Sequence, residues 1–523
     1  MTASPLGDLL SGPKTKSLAS SLEERHSQEL IFALVGPIGS GVSTAAAFLK
    51  DLLASEFGYA AADPIRPSDI IRAEAHRVGM GKVPEKPFNA YVHHMQSAGN
   101  ELRAKFGANY LAEKTVERIV KFRRERGGYA DDGVSMPGRR AYIIDSIKNL
   151  DELNLLRQIY RETLCVVGVF APDDIRTSRL IDGGVDKAEV QKMIDRDQGE
   201  AGTFGQMTRK VFSQSDLFLC NDQKKDELHR RLRRYLEIIF DTSIHTPTRA
   251  ESAMYEASAA GAGSACMSRQ VGASIVSASG ELLAVGWNDV PRFGGGLYTE
   301  DDQSVWDNDK KSIQDRDNRC FKWGGCICHN ETRRIGIVDG IANRFVGSDL
   351  LRKGKKKSDV LKLLEGTDVD SLTEYSRSIH AEMEAILSIA REGKGSLVGS
   401  TLYTTTYPCH NCARHIVAAG IASVVYIHPY KKSLAIALHN DAISEDPEDK
   451  TRVVFRQYDG VAPHHYLRLF SPIKDRKVGG RFLNKSSTTA TPVFRVPLDA
   501  PTDWESKVIA DLINKEHTEE DAH

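Results

Sequence analysis

The stretch Leu30-Ile-Phe-Ala-Leu-Val35-Gly36-Pro-Ile-Gly39-Ser-Gly41-Val42-Ser43-Thr44 decides the architecture of the first half of the chain. Its apolar run from Leu30 to Val35 has the length of a strand buried on both faces. Glycines at 36, 39 and 41 interrupt it, and Phe48, Leu49, Leu52, Leu53 and Phe57 then recur at helical spacing. The segment therefore reads as strand, loop and helix. Further apolar runs at Ala141 to Ile144, Leu164 to Phe170 and Leu217 to Cys220 alternate with helical patterns, as a parallel sheet with crossover helices requires. Leu228, Leu232, Tyr235, Leu236 and Ile239 form one stripe of a closing helix. These residues predict a parallel-sheet α/β domain over 29–242, preceded by a flexible arm over 1–28 that is rich in Ser, Lys and Glu.

Asp241 to Arg249 has the composition of a linker, and a second domain is expected over 250–470. It opens with a small-residue helix from Glu251 to Cys266. Val271 to Val276 and Leu282 to Trp287 then flank Ser277-Ala-Ser-Gly280, a hairpin signal. Residues 289–376 carry three consecutive glycines and the charge run Lys353 to Lys357 without a clear period, and read as a long insertion. Helices are predicted from about His380 to Arg391 and about Cys409 to Ala419, with strands at Thr401 to Thr405 and Val424 to Ile427. The second domain is therefore α/β as well. A polar tail, loosely held, is expected over 471–523.

Composition narrows the function. In 523 residues, 70 Lys plus Arg against 71 Asp plus Glu leave a net charge of −1, which argues against a general electrostatic grip on nucleic acid. No apolar run reaches the roughly 18 residues of a membrane span, and Met1 to Leu30 lacks the apolar centre of a secretory signal, so a cytoplasmic protein without membrane contact is expected. Of the eight cysteines, five fall into two groups, Cys320/Cys326/Cys328 and Cys409/Cys412, a distribution that suggests metal rather than disulfides.

His380-Ala-Glu382 and Pro408-Cys409-His-Asn-Cys412 are the sharpest signal. One imidazole and two thiols are one donor short of a closed structural zinc site, so a coordination position would stay open to water, as catalysis requires. Cysteines in the first turn of a helix are favoured as thiolates, and Pro408 suits a helix start. Glu382, two residues from His380, is placed to carry protons beside a metal without binding it. Taken alone, His-x-Glu is common and CxxC is compatible with redox chemistry or a closed zinc site. In this order, each at the start of a predicted helix, they match the zinc-deaminase signature.

Together with Ser268-Arg-Gln-Val-Gly-Ala273, Gly286-Trp-Asn-Asp-Val-Pro291 and Gly294-Gly-Gly296, these motifs resemble the deoxycytidylate deaminase family over residues 250 to 470. The two-domain layout resembles the bacterial anti-phage dCTP deaminases, which convert deoxycytidine nucleotides to deoxyuridine nucleotides and so deprive a phage of dCTP. The resemblance implies a cytidine-deaminase-like α/β/α fold for the second domain, a catalytic Zn²⁺ on His380, Cys409 and Cys412, Glu382 as proton carrier, and a free deoxycytidine nucleotide as substrate. It also implies that Asn288 contacts the nucleotide sugar, although an Asn closing a strand turn is the competing reading. Arg269 and Lys432, beside family-like segments, are the candidates for the substrate phosphates.

Two further clusters carry expectations. Cys320, Cys326, Cys328 and His329 make up a complete tetrahedral set, so a second, structural Zn²⁺ competes with ordinary reduced thiols. Gly36, Gly39, Gly41, Ser43 and Thr44 have the spacing of a P-loop, which would cradle the phosphates of ATP or GTP. Val42 replaces the usual lysine, so phosphoryl transfer is not expected, and a turn kept for packing is the alternative. Asp145-Ser-Ile-Lys-Asn149 resembles nucleotide-kinase-like P-loop proteins, and Arg176, Arg179, Arg196 and Asp197 fall where those carry a lid. A regulatory role is expected for this domain, with a nucleotide, an RNA or a phage factor as trigger, and a homo-oligomer is expected. The competing functions are housekeeping dCMP deamination for thymidylate supply, deamination of a base within a nucleic acid, and a nucleotide-binding switch.

Overall fold

The computed structural model describes residues 24–520 except 85, 200–204, 223, 224, 303, 304, 315, 349, 368, 370, 371, 373, 374, 431, 432, 472–475, 484 and 495. Most of the expected arm, and Lys432, lie outside the described residues. The chain forms two units, one of residues 1–246 with 459–523 and one of Pro247–Tyr458.

The first unit is built on a sheet of β1 (Leu30–Val35), β2 (Ala60–Ala61), β3 (Arg140–Asp145), β4 (Leu164–Phe170) and β5 (Leu217–Cys220), in the order β5-β4-β1-β3-β2 with all neighbours parallel. Every residue of β1, β3 and β4 is buried, which is why these strands read as continuous apolar runs rather than alternating ones. The helix Val42–Ser55 packs Leu49, Leu52 and Leu53 into this core, and Lys225–Phe240 adds Leu228, Leu232, Leu236 and Ile239. Phe57 stacks on Phe240 with centroids 4.9 Å apart.

The limits of the first unit differ from the expected ones at both ends of the chain. The second domain does not run to 470: Gly460–Val461 pairs antiparallel with β5 and extends the sheet of the first unit. Behind it, Nε2 of His464 and of His465 each lie 3.0 Å from Asp216 Oδ1, whose other oxygen accepts the Val166 N–H at 2.7 Å, so a buried carboxylate clasps the returning chain. Nor do the described residues of 471–523 form a loosely held tail. They include the helix Asp499–Glu520, whose Glu505 is buried against Arg123. Arg123, 1% exposed, also binds Glu29 (Nη2 to Oε2, 2.7 Å), and Glu29 in turn accepts from Arg140 Nε at 2.7 Å. The last residues of the expected arm are pinned as well, Ser27 N–H donating to the Val496 carbonyl and Arg25 pairing with Asp499.

Removing one partner of a buried ion pair leaves an uncompensated charge and costs about 3–5 kcal/mol. Arg123→Met is therefore expected to lower the urea midpoint of the first unit by a corresponding amount. An unchanged midpoint would show that the cluster does not hold the C-terminal helix.

The second unit carries a mixed sheet. The hairpin β6 (Gly272–Val276) and β7 (Leu282–Trp287) turns where expected, at Gly280 with φ +96°. A small outlying hairpin follows, β8 (Val305–Asp307) with β9 (Ser312–Gln314). Then come β10 (Thr401–Thr406), β11 (Ser423–His428), β12 (Ile443–Ser444) and β13 (Val453–Gln457), the main sheet running β12-β13-β11-β10-β6-β7. β10, β11, β13 and β12 are mutually parallel, and β6 is antiparallel to β10. The segment 289–376 is not structureless: it holds the helices His329–Val346 and Lys357–Leu364. Only Ala342 and Val360 are buried on them, so an apolar stripe was not there to be read.

Candidate metal centre

Two helices of the second unit begin at one point. Ala381–Glu392 has His380 as its N-cap, and His410–Ala418 has Cys409 as its N-cap, with Cys412 in the first turn. Helix starts present unpaired N–H groups and partial positive charge, a setting that favours thiolate and carboxylate side chains. Close packing fixes the first helix: a Cβ on Gly286 of β7 would sit 2.5 Å from the Ala381 carbonyl oxygen and from the Ala385 nitrogen. Only glycine lets the strand approach this closely.

His380 Nδ1 lies 3.3 Å from Cys409 Sγ and 3.3 Å from Cys412 Sγ. Among the described residues, His380/Cys409/Cys412 and Asp216/His464/His465 are the groups of His, Cys, Asp and Glu that bring three ligand atoms within 4.8 Å of one another. The first is largely shielded, Cys409 being 8% and Cys412 1% exposed. Its protons are shared. The Cys412 thiol, with help from His380, pulls Cys409 down to about 3. The contact with Cys409 lifts the imidazole to about 9, while Cys412 is raised by its bond to Cys409 and by burial. Glu382, 4% exposed, has its carboxyl pushed up by burial, against the pull of His380. The structure thus brings together all four residues that the motifs selected.

The other candidates fall differently. Asn288 is engaged by the backbone: its Oδ1 accepts the Val271 N–H and its Nδ2 donates to the Arg269 carbonyl, both at 2.7 Å. Arg269 is exposed, with its guanidinium 5.8 Å from the centre of the Tyr430 ring. Cys320, Cys326, Cys328 and His329 do not form one cluster. Cys326 is exposed on a left-handed residue, φ +59°. Cys320, Cys328 and His329 instead line a recess with Cys266, Asp289, Arg377 and Ser378. Ser378, in the lining of this recess, lies two residues before His380, which sets the recess beside the candidate centre. Cys266 carried no motif, and Asp289 stood in the segment Gly286 to Pro291 without an assigned role; both come to the recess through the pairing of Ile379 N–H with the Asp289 carbonyl, 2.9 Å, and of Ala265 N–H with Asp289 Oδ2, 2.8 Å. In the first unit, Gly36, Gly39 and Gly41 lie in the turn between β1 and its helix, with Gly39 and Gly41 at φ +83° and +80°, while Ser43 and Thr44 belong to the first turn of that helix.

Residues 247–428 match the family described as the cytidine and deoxycytidylate deaminase zinc-binding region. The deoxycytidylate deaminase of Enterobacteria phage T4 is 29% identical over 173 residues, 32% of this chain and 72% of the phage protein. A probable deoxycytidylate deaminase of Drosophila melanogaster is 33% identical over 106 residues, 20% of this chain and 47% of that protein. Among solved structures, the apo dCMP deaminase of cyanophage S-TIM5 aligns with 41% of this chain and 100% of its own at 18% identity, with a TM-score of 0.22.

Proposed function

We propose that this chain, a hydrolytic deaminase with a zinc-binding deaminase region at 247–428, acts on free deoxycytidine nucleotides, dCTP foremost and dCMP with it, at a centre made by His380, Cys409, Cys412 and Glu382. The donor set fits zinc: one imidazole nitrogen and two sulfurs, mutually close, with no fourth protein donor in the group among the described residues. Bound there, zinc supplies the Lewis acidity that makes water a nucleophile near neutral pH. The observation that carries the reading is the buried Glu382 beside this three-donor set.

Glu382 then does the proton work. It accepts a proton from the attacking water and delivers it to N3 of the cytosine ring as oxygen bonds to C4. The carboxylate then takes the remaining proton from the new C4 hydroxyl and gives it to the amine as the C4–N4 bond breaks, so that C4 becomes a carbonyl and ammonia leaves. Water and the cytosine nucleotide go in; the uracil nucleotide and ammonia come out. The recess lined by Cys266, Asp289 and Ser378 supports a small, free substrate beside the centre. The net charge of −1 favours a nucleotide over a nucleic-acid strand.

Draining dCTP would serve antiviral defence and would also harm the cell that makes the enzyme, so a silencing element is needed. The first unit, which the chemistry does not require, is the proposed regulator; because 459–523 belong to it, a truncation that tests this must remove both segments. The direct test incubates the purified chain with dCTP, dCMP, CTP, CMP and a cytosine-containing DNA oligonucleotide and follows ammonia and uracil. Turnover of the deoxycytidine nucleotides is expected. Turnover of the oligonucleotide alone would overturn the assignment.

A further inference from the structure

The glycine-rich turn of the first unit is built like a phosphate cradle, and it already holds a carboxylate. Its carbonyl oxygens are drawn outward by side chains: Ile38 O accepts from Arg176 Nε at 3.0 Å, Gly39 O from Arg179 Nη1 at 3.1 Å, and Ser40 O from Asn221 Nδ2 at 2.8 Å. With the carbonyls turned out, the N–H groups of Gly41, Val42 and Ser43 have no partner among the described residues. The helix Val42–Ser55 that they open has no side-chain cap and no acidic residue in its first turn. Such a concave row of N–H groups at a helix start binds anions.

Two buried polar groups at the turn also lack partners. Ser40 Oγ is fully buried and lies 2.5 Å from where a Cβ on Gly36 would stand, inside the turn. Arg176 is 3% exposed, its Nε is bonded to the turn, and its Nη2 is unsatisfied. A fully buried guanidinium nitrogen without an acceptor is costly unless a ligand supplies one.

Asp197 occupies the neighbouring position. It is 0% exposed, its Oδ2 accepts the Ile38 N–H at 2.8 Å, and its Oδ1 is bonded to Lys148 Nζ. One backbone N–H of the turn and one lysine are the donor pair that a P-loop offers to the terminal phosphates of a nucleotide. Val42 takes the lysine's place in the sequence, but Lys148, from the segment after β3, brings an ammonium group to the turn in space. Asp197 sits in the last turn of the helix Lys187–Gln198.

We infer that residues 36–43 bind the polyphosphate of a nucleoside triphosphate, with Lys148 substituting for the absent P-loop lysine and Asp197 acting as an internal latch that the phosphates displace. The site is separate from the proposed deaminase centre and does not depend on it. Removing the latch should tighten polyphosphate binding, and removing the cation should weaken it.

The test is calorimetric titration of the full-length protein with Mg²⁺–ATP, Mg²⁺–GTP and inorganic tripolyphosphate. Asp197→Asn keeps the size of the side chain and removes the competing charge; it is expected to tighten tripolyphosphate and at least one nucleotide by about tenfold or more, since a charged competitor for the same donors is lost. Lys148→Met is expected to weaken the same ligands by about tenfold or more. The double variant Asp197→Asn/Lys148→Met leaves no unpaired charge behind and controls for folding; it should not bind more tightly than the wild type. No saturable binding of any probe by either the wild type or Asp197→Asn would overturn the inference, as would affinities that none of these substitutions changes.

Discussion

Glu382→Ala is expected to keep its zinc and to lose about 10²- to 10⁴-fold of its turnover of dCTP or dCMP, the usual contribution of a positioned proton carrier. Glu382 is buried at the second position of the helix Ala381–Glu392, and burial pushes its carboxyl up, so it is suited to take up a proton and give it back. It does not belong to the group of three ligand atoms, so truncating it leaves His380, Cys409 and Cys412 in place. Losing a carboxyl from a buried position also removes a desolvation cost, so the helix should remain folded. Product formation and zinc content, measured on the same preparation, separate this outcome from its alternatives. Wild-type turnover would remove Glu382 from the mechanism, and loss of zinc would make it a ligand.

Cys412→Ala is expected to have a larger effect still: loss of bound zinc and turnover at the background of the uncatalysed reaction. Cys412 is the most buried of the three donors, at 1% exposed, and it packs in the same apolar cluster as Ala381, Ala385 and Ala413. A site reduced to His380 and Cys409 has two protein donors, too few to hold a catalytic zinc. Chelation of the wild type should have the same consequence, with one difference. Added zinc restores the stripped wild type, whose donor set is intact, and does not restore Cys412→Ala. Activity that survives chelation, or a variant that zinc rescues fully, would contradict the ligand assignment.

Features held by local interactions were legible in the sequence, and those held by remote ones were not. The strand, turn and helix at 30–57 were legible because a buried parallel strand is a local apolar run and glycines mark the turn after it. His380, Glu382, Cys409 and Cys412 were legible because each pair lies within one or two turns of a helix start, which keeps their spacing in the sequence. The C-terminal segment was not, because what holds it is remote: Glu505 pairs with Arg123 at a separation of 382 residues, and Gly460–Val461 completes a sheet whose next strand ends at Cys220. A charged residue buried against a distant partner reads as surface until the partner is placed.

The recess shows the same limit at shorter range. Grouping thiols by sequence put Cys326 with Cys320 and Cys328, whereas the left-handed backbone at Cys326 turns it to solvent and Cys266 arrives from the segment before β6. Asn288 carried two readings, and the bonds of its amide to the backbone at Val271 and Arg269 could be seen only in the fold. At the glycine-rich turn, the missing lysine at position 42 was visible. Asp197 read only as a lid residue and Lys148 only as part of Asp145–Asn149; their pairing with each other, and the bond of Asp197 to the Ile38 N–H, became visible only in the fold.

X-ray absorption at the zinc edge of the purified protein tests the central claim most directly. One nitrogen at about 2.0–2.1 Å, two sulfurs at about 2.3 Å and one further light atom from solvent are predicted. A shell of four protein donors, or a spectrum unchanged in Cys412→Ala, would contradict the account.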